Sequence, residues 1–365
     1  MDYTKNYKLN KPAPADYYNI EDFNRNADII DEKLSLGAQG YELSQQLLSR
    51  VQELEAKAEK VNLRARILMS IYAPAGTAVT IRKENYPRRE FTVPESGKLE
   101  FEAEETGRWT FDYKYRDKQY GKSVEIMHIG EVPIALAPDL AVAEWDYIDL
   151  VGKLGLAQTC WNIGETKQIT VGDESVTVEI LDFDHDKLYL HDPGRGKPAA
   201  ITFGITKPLA KKVSLHPQVT PLSWSRRNIF TTYLPNLKKQ LPEDLQRAIK
   251  TVRKVALKPY YNIRMSQGSL SNIGGEEFAT DLFIFSETEI FGERRMGNPL
   301  YRYETVYEYY RRGKSFLRSG DYWLRSIDYY TSGDVRGWGL FVDKEGYMYS
   351  EEMNKEHGLL FGFCV

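Results

Sequence analysis

After Arg66 the hydrophobic period of this 365-residue chain switches from helical to two-residue alternation, and that switch limits the fold more than any motif does. Before it, Leu47, Val51, Leu54, Ala58 and Val61 recur at 4-3-4-3 spacing, with Glu53, Glu55, Lys57, Glu59 and Lys60 between them. Such spacing draws one apolar stripe along a helix, the a/d seam of a coiled coil. Two readings stay open: an amphipathic helix packed on its own chain, or a self-associating stalk over residues 29–66, with a trimer as the expected state. Upstream, "IEDFNRNADIIDEKLS" is also patterned as a helix, and Gly37 and Gly40 weaken the run between the two. Residues 1–28, with Pro12 and Pro14 among tyrosines, read as a polar arm that lies along a partner.

Beyond Arg66, "ILMSIYAPAGTAVTIRK", "REFTVPESGKLEFEAEETGRWTFDYKY" and "QYGKSVEIMHI" alternate apolar and polar residues between Pro/Gly/Ser turn signals. A strand with this pattern buries one face only, so residues 67–132 are expected to form a small all-β sandwich. Residues 133–159, opening on "VPIALAP", read as a linker. Residues 160–365 predict an α+β domain, with strands at "TKQITV", "VTVEILDF", "KLYLHD" and "AAITFGI". Helices are predicted at "WSRRNIFTTYLPNLKKQL" and "PEDLQRAIKTVRKVAL", the second opened by Pro242, Glu243 and Asp244. The fold class is therefore multidomain: N-terminal helix or short coiled coil, β-sandwich, C-terminal α+β domain.

With 49 basic and 52 acidic residues, the chain lacks the basic footprint of a nucleic-acid binder. Cys160 and Cys364 are too far apart in sequence for a zinc motif, and two cysteines make no disulfide framework. No apolar run is long enough for a membrane helix, and the polar N-terminus carries no signal-peptide pattern, so neither membrane insertion nor signal-directed export is expected. The 25 tyrosines are the outlying feature. Tyrosine suits wet recognition surfaces because it joins an apolar body to a polar tip, and β-rich folds also favour it.

In "DFDHD", Asp182, Asp184 and Asp186 would share one face of a continuous strand, a start on the oxygen ligands that calcium takes. The same run reads as turn chemistry, and the glycine and downstream glutamate of an EF-hand loop are missing. These three are weak metal candidates, and no cofactor is expected. His128, His185, His191, His216 and His357 are scattered, with no H-E-x-x-H, G-x-S-x-G or P-loop. Paired carboxylates for glycoside cleavage meet in space without leaving a sequence pattern, which keeps a hydrolase open as an alternative. Tyr322, Arg325, Tyr329, Tyr330, Arg336, Trp338, Tyr347 and Tyr349 form the aromatic and basic C-terminal set. Aromatic faces stack on sugar rings while arginine forks grip phosphates, so these eight are the candidate ligand-binding residues, with the stretch read as partly core and Arg325 open to either a buried polar network or a surface fork.

An ordered series of blocks extends over residues 160–365: "WNIGETKQITV" (161–171), "ILDFDHDKLYL" (180–190), "ITF" (201–203), "WSRRNIF" (224–230), "LPEDLQRAIKTVRKV" (241–255), "LFIFSETEIFG" (282–292), "YEYY" (307–310) and "YWLRS" (322–326). This series resembles an uncharacterised domain family common at the ends of prophage tail proteins of Gram-positive bacteria. "NKPAPADYYNIEDFNRNADIIDEKL" is similar to the leaders of phage tail-fibre and baseplate-attached proteins. "GTAVT", "GKLEF" and "GRWTF" resemble strands of immunoglobulin-like spacer modules. The chain departs from the C-terminal family at its end, where "GLLFGFCV" (358–365) stands in place of a G-V-R-P segment. The resemblance implies a C-type-lectin-like or formylglycine-generating-enzyme-like scaffold for the C-terminal domain, with Trp323 and Leu324 in its core. It also implies a non-enzymatic tail fibre or receptor-binding protein of a virion or phage-tail-like particle. Such a protein would mount on a baseplate by its N-terminus and bind a host cell-surface glycan or teichoic acid. A wall-degrading hydrolase and a structural baseplate or collar subunit are the alternatives.

Overall fold

The structure, a computed structural model, describes residues 2–3, 9–11, 20–60, 66–189, 196–220, 222–257, 275–292, 304–313, 320–327 and 337–365. The chain divides into two compact units, residues 1–66 and 67–365. In the first, β1 (Asp2–Tyr3) and β2 (Asn10–Lys11) pair antiparallel, and α1 (Ile20–Lys60) is a single helix of 41 residues. At 1.5 Å per residue it is about 60 Å long. It passes through Gly37 and Gly40 without a break, and no neighbouring atom crowds either. Two glycines at about 1 kcal/mol each do not interrupt so long a ladder. Leu34, Leu36, Leu43, Leu47, Leu48 and Val51 are exposed within the single chain. The side chains of Leu54 and Ala58, and all of Val61, lie outside the described residues.

Residues 67–135 carry seven strands in two sheets. One sheet has the order β6 (Lys98–Ala103), β3 (Ile67–Tyr72), β9 (Gly130–Ala135), with β3 antiparallel to β6 and parallel to β9. The other runs β5 (Tyr86–Thr92), β4 (Ala78–Lys83), β7 (Gly107–Tyr115), β8 (Lys118–Ile126), all antiparallel. The alternation does what its period dictates: Trp109, Phe111, Tyr113 and Tyr115 point inward from β7, and Ile67, Met69 and Ile71 point inward from β3. Side chains from both sheets join in one apolar cluster. The outer strand β5 is exposed along most of its length and carries Arg88, Arg89 and Glu90, charges that discourage edge-to-edge pairing.

The segment read as a linker, 133–159, is packed. It contains the end of β9, helix α2 (Trp145–Lys153) and a 3-10 turn at Ala157–Thr159, and it buries Leu140, Ala143, Trp145, Ile148 and Val151 in the C-terminal core. Tyr147 Oη donates to the Tyr72 carbonyl at 3.1 Å and Tyr113 Oη to the Ala137 carbonyl at 2.6 Å, tying the β module to this segment. The segment's apolar residues lie along a helical face, a signal that the prolines around 133–138 obscure.

The C-terminal region is built on an antiparallel five-stranded sheet with the order β10 (Thr166–Val171), β11 (Glu174–Phe183), β12 (Ile201–Ile205), β19 (Phe361–Cys364), β15 (Leu282–Ile284). The final segment "GLLFGFCV" therefore supplies an inner strand. Gly204 and Gly362 are cross-strand partners, and a Cβ on Gly362 would come within 2.8 Å of the Phe283 and Phe285 rings. Glycine at this pair is what lets phenylalanines pack flat on the sheet. Around the sheet lie a π-helical turn (Ile229–Tyr233) leading into α3 (Leu234–Lys238), then α4 (Glu243–Ala248), α5 (Glu287–Phe291) and α6 (Glu308–Arg311). Two further sheets complete it: β13 (Val252–Leu257) with β14 (Gly275–Thr280), and β16 (Tyr322–Ile327), β17 (Trp338–Val342), β18 (Met348–Glu352).

One predicted helix is corrected. "PEDLQRAIKTVRKVAL" is helical only to Ala248; Ile249 turns extended at ψ 129°, and Val252–Leu257 is strand β13. β-branched Thr251, Val252 and Val255 favour that exit from the helix. The shift carries Lys254 from a helix surface into the protein interior.

Candidate functional site

The β16–β17–β18 sheet sorts the predicted C-terminal set by strand parity. Trp323, Phe341 and Tyr349 are cross-strand partners and share one face. Trp323 is fully buried, Phe341 half-buried and Tyr349 50 % exposed, so an aromatic row runs from core to solvent. His357 lies on this row, stacked on Phe341 at 3.9 Å between ring centroids and edge-on to Trp323 at 4.5 Å. Asp321 Oδ2 stands 2.5 Å from its Nδ1 and Glu351 Oε2 stands 2.7 Å from its Nε2. Each ring nitrogen of His357 therefore faces a carboxylate. Lys212 Nζ closes the cluster by donating to Asp321 Oδ1 at 2.7 Å. Burial pushes the Asp321 carboxyl up, but the bonds from Lys212 and His357 outweigh it and hold the group below its ordinary range. The result is a partly exposed surface with an aromatic platform, two carboxylates and a lysine.

Other predicted members fall elsewhere. Trp338 pairs with Glu352 on the opposite face of the sheet and is half-buried, while Tyr347 is exposed on the turn before β18. Tyr322 and Arg325 are each 1 % exposed and are corrected from ligand-binding to interior positions. The cause is that β16 is covered on both faces and at its outer edge, where the Arg325 and Trp323 amides donate to the carbonyls of Phe285 and Gly358. Tyr329, Tyr330 and Arg336 lie outside the described residues.

Beneath the surface is a second constellation that sequence reasoning missed. Lys254 Nζ, fully buried, lies 2.5 Å from Asp186 Oδ1, 2.6 Å from Glu289 Oε1 and 2.7 Å from Tyr307 Oη, over the Phe283 ring. Arg325 Nη2 joins it through Glu289 Oε1 at 3.1 Å and also grips Glu304; Arg325 Nε donates to the Val255 carbonyl at 3.0 Å. Asp186 Oδ2 accepts from Thr202 Oγ1 at 2.9 Å and from Tyr307 Oη at 3.1 Å. Burial works against every charge here. For Asp186 it is outweighed by Lys254 and His185, and for Glu289 by Arg325 and Lys254, which hold that carboxyl at about 2. For Lys254, Asp186 and Glu289 overcome the same penalty and raise it. For Glu304 burial wins over Arg325, and its carboxyl is raised.

The three aspartates of "DFDHD" do not converge. Strand β11 stops at Phe183, and Asp184 takes a left-handed φ of 52°, so the alternation that would have aligned them is broken. Asp182 accepts from the Glu308 amide at 2.8 Å, Asp184 from Gln158 Nε2 at 2.8 Å, and Asp186 turns inward. Among the described residues no cluster of three or more His, Cys, Asp or Glu groups has the geometry to hold a metal ion. One local signal for the buried constellation was present in the sequence. "SETE" at 286–289 is a capping box: the Glu289 amide donates to Ser286 Oγ at 3.2 Å, and the Ser286 amide donates to Glu289 Oε2 at 2.7 Å. That fixes Glu289 and leaves its Oε1 facing Lys254. Compared with known proteins, the chain matches no family, no curated protein and no solved structure.

Proposed function

We propose that this chain is a receptor-binding protein of a phage tail or tail-like particle, held on the particle through its N-terminal residues and gripping a Gram-positive cell-surface polymer through residues 160–365. The observation that carries the reading is the Tyr349–Phe341–His357 row flanked by Asp321, Glu351 and Lys212. A pyranose ring offers an apolar face to Tyr349 and hydroxyls to the two carboxylates, while Lys212 suits a polymer phosphate. The function is binding without turnover: both carboxylates are engaged by one imidazole, an arrangement that stiffens a platform. The block series over 160–365 and the leader sequence support the same assignment by resemblance, with a lectin-like scaffold for the terminal domain and an immunoglobulin-like spacer for the β module.

The exposed apolar stripe of α1, with Leu47 at 59 % and Val51 at 49 %, supports self-association. A lone helix displaying that stripe to water gains nothing from it, whereas copies of itself offer matching seams. The occupant is two further copies of the chain. Trimerisation would set three platforms on one particle arm, so weak single sites add to strong avidity.

The test is binding of the full chain to purified Gram-positive cell walls, before and after removal of teichoic acid, with released sugar assayed in parallel. Saturable binding without sugar release is expected, and Tyr349→Ala should weaken it about tenfold per site, the size of one lost aromatic contact. Released sugar would make the chain a hydrolase. Absence of binding, with the chain found only inside assembled baseplates, would make it a structural subunit.

A further inference from the structure

Lys254, Asp186 and Glu289 are arranged as reactants rather than only as an ion pair. An amine and a carboxylate stand 2.5 Å apart in a site closed to solvent, with a second carboxylate 2.6 Å from the same nitrogen. The geometry points to a covalent amide bond between Lys254 Nζ and Asp186 Cγ, formed within the folded chain with Glu289 as the proton-transfer group.

Amide formation from an acid and an amine is unfavourable in water largely because both partners are charged and well hydrated. Burial removes that hydration, and although the pair rests in its charged form, one proton transfer between groups already in contact gives the neutral acid and amine. Folding also fixes the two groups against each other, which converts a bimolecular condensation into a unimolecular one. The Lys254 ammonium first passes one proton to Asp186 Oδ1, giving amine and acid. The nitrogen lone pair attacks Cγ, and the Cγ–Oδ2 π pair moves onto Oδ2, where Thr202 Oγ1 and Tyr307 Oη donate hydrogen bonds to the oxyanion. Glu289 Oε1 takes a proton from the nitrogen and returns it to the Oδ1 hydroxyl. The Cγ–Oδ1 bond breaks, water leaves, Oδ2 re-forms the carbonyl, and Glu289 ends as it began. No oxidant, metal or co-reactant is consumed.

The surroundings fit this use. The capping box pins Glu289 Oε2 on the Ser286 amide and so aims Oε1 at Lys254, and the Phe283 ring lies 3.7 Å from Nζ with no competing hydrogen bond to offer. The condensation removes one positive and one negative charge from the interior and leaves Glu289 paired with Arg325. The link would join positions 68 residues apart, tying the turn after β11 to β13. It is independent of what the surface of the domain binds.

Intact-mass spectrometry of the purified, denatured full chain tests the bond. The expected mass lies one water, about 18 Da, below that of the sequence. A digest should give one cross-linked species holding the Lys254 and Asp186 peptides, with no tryptic cut after Lys254. Lys254→Arg and Glu289→Gln should each show the full sequence mass, with near-UV circular dichroism reporting that they fold. Full sequence mass in the wild-type chain after days in the folded state would overturn the proposal. So would a water loss that maps elsewhere in the digest or survives Lys254→Arg. The wild-type digest decides the matter even where a variant does not fold.

Discussion

The β module and the C-terminal region solve the same packing problem with opposite chemistry. Among the described residues of 67–135 the buried polar side chains are Ser70 and Thr77, each held by a short local or cross-strand hydrogen bond. The C-terminal interior instead holds Lys254, Arg325, Arg227, Asp186, Glu289 and Glu304. An apolar core is forgiving, because any side chain of fitting volume keeps most of the transfer free energy. A charged core is not, since removing one partner strands another in low dielectric. The difference teaches where each region is vulnerable: the module to lost volume, the terminal region to lost pairing.

The sharpest way to break the comparison is Arg325→Met, which keeps bulk but takes the guanidinium from Glu304, Glu289 and the Val255 carbonyl. A loss of about 3–5 kcal/mol is expected, read by urea unfolding. Hydrogen exchange should speed up across β13, β15 and β16 and stay unchanged in β3, β4 and β7. A loss no larger than that of an ordinary surface change would mean that the network contributes nothing.

Acid is the next lever. Glu289, a carboxylate whether or not Lys254 and Asp186 are joined, is held below its ordinary range, so the stability it contributes is complete above its unfolded pKa of 4.5. It is lost as pH falls towards the folded value of about 2. Glu304, raised by burial, takes up its proton earlier and works in the opposite sense. The net expectation is that exchange protection fails in the C-terminal region before it fails in the β module as pH drops from 5 to about 2. Simultaneous loss would remove the distinction between the two cores.

Ile81→Val deletes one methylene from the apolar module and should cost about 0.5–1.5 kcal/mol, confined to 67–135 in the exchange pattern. The smallest effect belongs to Tyr349→Ala, which changes stability by less than about 0.5 kcal/mol because the ring is half exposed. Under the proposed function its consequence is on polymer binding alone, so a large drop in melting temperature would make Tyr349 a packing residue instead.

The contrast also explains what could be read from the chain directly. The β module was legible because its information is local: inward residues recur every second position, as in Trp109, Phe111 and Tyr113, and turn residues separate the runs. Helix α1 was legible in the same way, apart from its continuity through Gly37 and Gly40, which no local rule decides. The exposure of the candidate C-terminal residues was legible only in fragments. Tyr347 and Tyr349 are exposed, but Tyr322 and Arg325, equally suited to a surface by type, are sealed inside because β16 is covered on every side. Asp321 and Glu351 carry no local spacing that marks them, and His357 stands in the sequence only as one of five scattered histidines, because the residues they meet are distant along the chain.

By itself, then, the amino-acid sequence determined periods and turns: the helical spacing before Arg66, the two-residue alternation after it, and the turn residues between the strands. Tertiary structure alone decided which charges are interior. Lysine, arginine and carboxylates carry a default of exposure, and no periodicity marks an exception when the compensating partner of Asp186 lies 68 residues away. Only the fold, by ending a helix at Ala248 and turning the chain into β13, brings Lys254 to Asp186 and Glu289. A buried charge is tolerable only where its partners already stand, and that is a property of the assembled interior.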